Sequence, residues 1–172
     1  MKIRLKKIDA ARNQLKEAIS LWFHDGDLAS MHMLACSAHQ IVSDINQKLG
    51  GRDLIYDSLL VKDEYRSEWI KTIKGPYNFL KHADKDADPE GELEFDSLNT
   101  EFFILFTILG LELLGYEKNI MEAAFIVRYM LIKPEFLKEG KNPFSEIPIG
   151  ATELAKVADK KTFLTSYMMS KQ

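Results

Sequence analysis

The sequence has little cysteine and no excess of positive charge, and each shortage excludes a class of protein. The single cysteine, Cys36, excludes an intramolecular disulfide framework and a multi-cysteine zinc site, so we expect a reducing, cytoplasmic environment. Basic residues number 23 against 26 acidic ones, which gives a formal net charge of -3. A chain with this balance has no global positive field to hold a nucleic-acid backbone.

Long apolar runs and the common catalytic motifs are also missing. The most apolar stretch, FFILFTILGLELLG from Phe102, is interrupted by Glu112 and is shorter than the roughly 20 residues that a membrane span requires. It predicts a buried core helix and no membrane partner. The sequence contains no G-x-x-x-x-G-K-[ST], G-x-G-x-x-G or G-x-S-x-G motif, and we expect no cofactor.

Helical periodicity is the main signal that is present. The 172 residues, 46% hydrophobic and 28% charged, are typical of one globular domain. Apolar residues recur at steps of three and four, which is the spacing of one helix face. Short connections between such segments predict an all-α, antiparallel up-and-down bundle with four core helices and further C-terminal helices. The predicted helices cover about 7–23, 28–49, the second half of 52–74, 77–83, 100–114, 117–133, and parts of 151–169. Gly75 and Pro76 interrupt the pattern before 77–83, which predicts either a kink or a new helix there.

A row of small, polar but uncharged residues lies on the second predicted helix. The row consists of His32, Cys36, His39 and Ser43. It predicts a central helix that packs closely against a neighbour or a dimer partner. His32 and His39 lie seven residues apart, about 10.5 Å along a helix, which is too far for one metal ion. We therefore interpret both as hydrogen-bonded packing residues that could also line a pocket.

The stretch YNFLKHADKDADPEGELEFD, residues 77–96, combines an Asn and a His four apart with an acidic residue at every second position. Together with the helices on either side, it resembles a group of uncharacterised bacterial proteins related to the HEPN helical-bundle superfamily. The resemblance covers about residues 8–115. It implies a bundle core over 1–115 and a helical extension over 116–172, within a single domain.

Active HEPN nucleases carry an Arg, usually followed by a polar residue, and a His further on, and two such sites face each other across a dimer. They cleave RNA without metal, the Arg binding phosphate and the His serving in acid-base chemistry. On this pattern His82 matches the His, Asn78 the polar residue, and Tyr77 stands where the Arg is expected. A phenol cannot provide the charged, bidentate recognition of phosphate that a guanidinium does, and Lys81 could supply only a point charge.

The resemblance thus implies a homodimeric binding or regulatory module, with a possible protein partner and a degenerate nuclease motif. The alternative is a divergent metal-independent endoribonuclease that uses Asn78, Lys81 and His82. The acidic run disfavours RNA, because carboxylates at every second position of an extended segment project to one side, next to His82.

A small-ligand or cation site beside the acidic run is the third hypothesis. Asp84, Asp86 and Asp88 alternate as in the first positions of an EF-hand loop. The pattern then fails, because Pro89 occupies the sixth position and Phe95 the twelfth, where that loop requires Gly and a bidentate Glu. We therefore expect no strong metal site. Candidate pocket residues are His32, His39, Tyr77 and Asp84.

Overall fold

The computed structural model describes residues 2–51, 53–56, 63–82, 87–133 and 156–171. These residues form six α-helices of ten residues or more, two short 3-10 turns and no strand. The all-α prediction is therefore confirmed. The helices are α1 (Lys7–Phe23), α2 (Leu28–Lys48), α3 (Arg66–Lys81), α4 (Ser97–Leu113), α5 (Ile120–Ile132) and α6 (Lys160–Met169).

Several helix boundaries are determined by local hydrogen bonds that the sequence predicts. The Asp27 side chain accepts a hydrogen bond from the Ser30 backbone N–H at 2.7 Å and so caps α2. Asp96 caps α4 in the same way, at 2.8 Å from the Leu98 backbone nitrogen. After α2 the chain turns through Gly50, whose φ of 82° is a conformation that favours glycine.

Helix α2 lies at the centre of the packing, between α1 and α4. Helix α3 packs on α2, α5 packs on α1, and α6 packs on both α1 and α5. One hydrophobic cluster joins all these helices, so residues of the predicted C-terminal extension contribute to the same core as the N-terminal helices. The most extensive contacts are those of α2 with α1 and with α4. The antiparallel core of four helices remains a prediction. The largest side chains of the core include Leu15, Ile19, Trp22, Phe23, Phe103, Ile108, Phe125 and Tyr129.

Helix α3 ends earlier than the sequence predicts. It is one helix that continues through Pro76, where either a kink or a new helix was predicted. Proline removes one backbone hydrogen bond from a helix, but the Pro76 ring is buried, and this packing offsets the loss. The helix ends at Lys81, and His82 follows in an extended conformation with φ -128° and ψ 118°, although the sequence predicted helix to residue 83.

The C-terminal helix α6 is held on α1 by charged groups as well as apolar ones. Lys160 Nζ donates to Asp25 Oδ1 at 2.7 Å and lies 4.6 Å from the ring centroid of Trp22. Arg128 Nη2 donates to the Ala158 carbonyl at 2.6 Å. Cation–π contacts of this kind stabilise by about 0.5–2 kcal/mol, depending on desolvation. Residues 134–155, between α5 and this anchor, lie outside the described residues.

Gly110 marks the closest approach of α4 to α2. A Cβ atom at this position would lie 2.7 Å from Val42 Cγ1 on α2 and 2.6 Å from Leu54 Cδ1. Both distances are well below van der Waals contact, so the α4 backbone can lie this close only because residue 110 has no side chain.

Gly110→Ala is therefore expected to lower the free energy of unfolding by up to about 2 kcal/mol. Overpacking in a core costs about 1–3 kcal/mol, and the gain in helix propensity of about 1 kcal/mol offsets part of that cost. In a Val42→Ala background the same change should cost less, because the smaller side chain leaves room for the new methyl group. Urea denaturation of the four proteins of this cycle measures the effect. If the effects of Gly110→Ala and Val42→Ala on the free energy of unfolding were strictly additive, or if Gly110→Ala alone stabilised the protein, the close approach at Gly110 would be contradicted.

Candidate functional site

The Asn78 and His82 motif lies at the exposed C-terminal end of α3. The side chains of Asn78, Lys81 and His82 are exposed, whereas Tyr77 is half-buried and packs against the core. The His82 backbone N–H donates to the Asn78 carbonyl at 3.0 Å, which is a main-chain bond that closes the helix. The structure thus brings the two residues together through their backbones, with only Asn78 inside the helix.

Lys81 and Tyr77 contact each other directly. The Lys81 ammonium lies 5.1 Å from the centroid of the Tyr77 ring, one helical turn earlier. At an exposed site such a cation–π contact stabilises by about 0.5–1 kcal/mol. The lysine that could replace the missing arginine is therefore positioned over the residue that stands in the arginine's place.

The described part of the acidic run is exposed at every acidic position. Asp88, Glu90, Glu92, Glu94 and Asp96 all face solvent. Asp88 Oδ1 accepts a hydrogen bond from the Glu90 backbone N–H at 3.0 Å, so this carboxylate supports a turn. Within the described ranges, no group of three or more His, Cys, Asp or Glu side chains could hold a metal ion. Asp84 and Asp86 lie outside those ranges, so the predicted weak cation site is not tested.

The apolar residues of the acidic run attach it to the helices. Phe95 is half-buried, and its ring centroid lies 4.9 Å from that of His32 on α2. Leu93, two residues earlier, is also half-buried. Exposed carboxylates thus alternate with packed apolar side chains, as the two faces of an extended segment do.

The polar row on α2 is covered by α4 of the same chain. His32, Cys36, His39 and Ser43 are all buried, with at most 2% of each exposed. The His39 ring lies 5.2 Å from that of Phe103 on α4. The predicted close packing against a neighbour is therefore correct, and the neighbour lies within the chain. The row gives no independent support to a dimer.

Cys36, His32 and Thr100 form a hydrogen-bonded chain inside the core. Cys36 Sγ lies 3.3 Å from His32 Nε2, and His32 Nδ1 lies 2.9 Å from Thr100 Oγ1. A protonated thiol can donate to Nε2, which leaves the Nδ1–H to donate to the Thr100 hydroxyl. The residue types match a nucleophile, a base and an orienting group. Thr100 is the member that sequence analysis missed, because it is 68 residues from His32 along the chain.

Burial makes the hydrogen-bonded side chains of Cys36, His32 and Thr100 unreactive at neutral pH. Desolvation lowers the pKa of His32 to about 4. It lowers the pKa of His39 to about 3, with a further contribution from the positive charge of Lys74. Burial also raises the pKa of the Cys36 thiol well above its ordinary value. Since the thiolate is the reactive species, a buried protonated thiol is a poor nucleophile.

A small cleft lies where α1, α2, α4 and α6 meet. Its volume is about 180 Å³, and its walls include Trp22, Asp25, Glu101 and Lys160. The Trp22 indole Nε1–H donates to Glu101 Oε1 at 2.9 Å. Lys160 contacts both Asp25 and the Trp22 ring, so the four side chains form one connected set of contacts. Sequence analysis did not group these residues because they come from α1, the turn after it, α4 and α6, which are far apart in the chain.

Comparison of the chain with family models, with curated proteins and with solved structures finds no match. In the parts of the chain that the structure describes, no helix has the length and apolar character needed to cross a membrane.

We expect stability to fall as the pH decreases from about 6.5 toward 4. The buried imidazoles of His32 and His39 stay neutral in the folded protein, while the unfolded chain takes up protons below its ordinary histidine pKa near 6.5. The contribution of the two neutral imidazoles to the free energy of unfolding is therefore complete above about pH 6.5. It is lost as the pH falls toward the folded-state pKa values of about 4 and about 3. His32→Gln should reduce this loss by on the order of 2 kcal/mol, measured by urea unfolding at pH 4–8. If His32→Gln left the pH dependence of stability unchanged, His32 would not be a buried, neutral imidazole in the folded protein.

Cys36 should react with a thiol reagent only when the protein opens. We expect labelling of the folded protein to be at least about a thousandfold slower than labelling in denaturant, because the free energy of opening limits access. The control is the Cys36→Ala/Ser67→Cys variant, which places a thiol at an exposed position of α3. It should label rapidly in the folded state. Rapid labelling of Cys36 under native conditions would contradict the buried assignment.

Proposed function

We propose that this chain is a HEPN-like helical bundle that works as a dimeric, non-catalytic interaction module in the cytoplasm. The observation that carries the proposal is an apolar strip on the side of α4 that faces away from α2. We call this the outer strip and define it as Phe102, Leu105, Phe106, Leu109 and Leu113.

The outer strip is a continuous surface of one helix. Its members recur at steps of one, three and four, which places them on one side of α4. Leu109 is 39% exposed and Leu113 is 69% exposed, while the other three are half-buried. The opposite side, which includes Thr100, Phe103 and Thr107, is fully buried. Phe102, Leu105 and Phe106 also pack against the core of the same chain. A helix that is apolar on all sides is normally covered on all sides, so the exposed Leu109 and Leu113 favour a partner at this end of the strip.

A second copy of the chain fits the outer strip. Helices present ridges at three- and four-residue spacing, and two identical ridges can pack across a two-fold axis. The strip contains no charged residue, so its centre brings no like charges together. Burial of the exposed 39% of Leu109 and 69% of Leu113 would contribute about 1 kcal/mol and about 1.5 kcal/mol, respectively. The dimer that the family resemblance implies thus has a candidate surface that is distinct from the polar row on α2.

The motif at the end of α3 supports the absence of catalysis in this proposal. Tyr77 provides no guanidinium for phosphate, and the Lys81 ammonium lies over its ring. The exposed carboxylates from Asp88 to Asp96 follow in the chain and would repel an RNA backbone.

Sedimentation equilibrium at micromolar concentration tests the dimer. The wild-type protein should have the mass of two chains, and Leu109→Glu/Leu113→Glu should weaken association at least tenfold, because two carboxylates would be buried without partners. The matched control is Val157→Glu/Met169→Glu, which adds the same charge at residues that are 77% and 69% exposed. A monomeric wild-type protein, or equal effects of both pairs, would overturn the proposed interface.

Incubation with transfer RNA in the absence of divalent metal tests the lack of catalysis. We expect no cleavage by the wild-type protein. Cleavage that His82→Ala abolishes, with the fold retained, would overturn the non-catalytic assignment in favour of a divergent endoribonuclease. Because His82 is exposed, this substitution should leave the core intact.

A further inference from the structure

A groove lies between the N-terminal segment and the C-terminal half of α2. Its volume is about 420 Å³, within the range of pockets that bind small molecules. Apolar side chains of Leu5, Ala10, Ile41 and Ile45 line it. Leu5 is 54% exposed, and both isoleucines are half-buried, so the groove leaves substantial apolar surface open to a ligand.

The rim of the groove is positively charged although the protein as a whole is negative. Three lysines, Lys6, Lys7 and Lys48, line it together with a single carboxylate, that of Asp44. Asp44 Oδ1 already accepts a hydrogen bond from Gln40 Nε2 at 2.7 Å. All three lysine side chains are exposed, so their ammonium groups can reach a ligand in the groove.

The N-terminus of α1 adds to this positive potential. Lys6 occupies the capping position and Lys7 the first helical position, and Lys6 makes no side-chain capping hydrogen bond. The first backbone N–H groups of a helix lack intrahelical partners and carry partial positive charge. Lys6 and Lys7 add positive charge at this end, which Asp9 in the first turn offsets only in part, and a bound anion would relieve the remainder.

We infer that this groove binds an anionic amphiphile: a molecule with a negatively charged head and an apolar chain, such as a fatty carboxylate. The chain lies on Leu5, Ile41 and Ile45, and the head lies at Lys6 and Lys7 beside the N-terminus of α1. The restricted volume favours a single chain over a helical peptide, which needs a longer groove, and over a flat membrane surface. None of these residues belongs to the outer strip or to the α3 motif, so the inference is independent of the proposed function.

Isothermal titration calorimetry with sodium laurate, kept below its micelle concentration, tests the inference. We expect saturable binding of one laurate per chain, weakened by salt. Lys6→Glu/Lys7→Glu should weaken binding at least tenfold, and it should not impair folding because acidic residues are favoured at a helix N-terminus. The matched control is Lys71→Glu/Lys161→Glu, which makes the same charge change at exposed positions outside the groove and should bind as the wild type does.

Three further probes identify the chemistry that is recognised. Dodecyltrimethylammonium has a similar chain and a positive head, so equal affinity for it would overturn recognition of the anionic head. Butyrate has the head without the chain and should bind at least tenfold more weakly. Vesicles of phosphatidylglycerol distinguish a membrane surface from a free amphiphile: binding to vesicles without binding to laurate would overturn the inference, as would equal loss of laurate binding in the two charge variants.

Discussion

The contact between α2 and α4 is the constraint on which the rest of the structure depends. Gly110 allows the α4 backbone to lie against Val42, and this close approach seals the polar row of α2 from water. Burying an imidazole or a thiol is costly unless its polar atoms find partners, and Thr100 on α4 supplies one for His32. The close backbone contact and the internal hydrogen bonds thus occur at the same interface between α2 and α4.

This contact also determines what each side of α4 can do. The side with Thr100, Phe103 and Thr107 is used within the chain, and the outer strip faces away from it. Because α4 is apolar on both sides, its sequence has no strong amphipathic period that would show which side is internal. The same contact converts Cys36 and His32 from a nucleophile and a base into packing groups, since desolvation favours the neutral form of each.

Features that depend on neighbouring residues were predictable from the sequence, and features that depend on distant ones were not. The Asp27 cap and the turn at Gly50 follow from local chemistry, and both are present. The Lys81 contact with Tyr77 follows from a spacing of four residues on a helix. The continuation of α3 through Pro76 depends on burial of the proline ring, which no local pattern reports. Thr100 and the lysine-rimmed groove are likewise assembled from segments far apart in the chain.

The distribution of polar groups is the reason for proposing binding and not catalysis. Catalysis needs a nucleophile, a base and a stabilising charge that are held together and accessible to substrate. In the described residues, the linked polar chain of Cys36, His32 and Thr100 is sealed inside the core, and the exposed His82 lies next to a lysine that contacts a tyrosine ring. Two accessible surfaces instead combine apolar area with a simple charge pattern. The outer strip has no charged residue, and the groove is lined by three lysines and one carboxylate. Such surfaces select partners by shape and charge, which is why both proposals concern recognition.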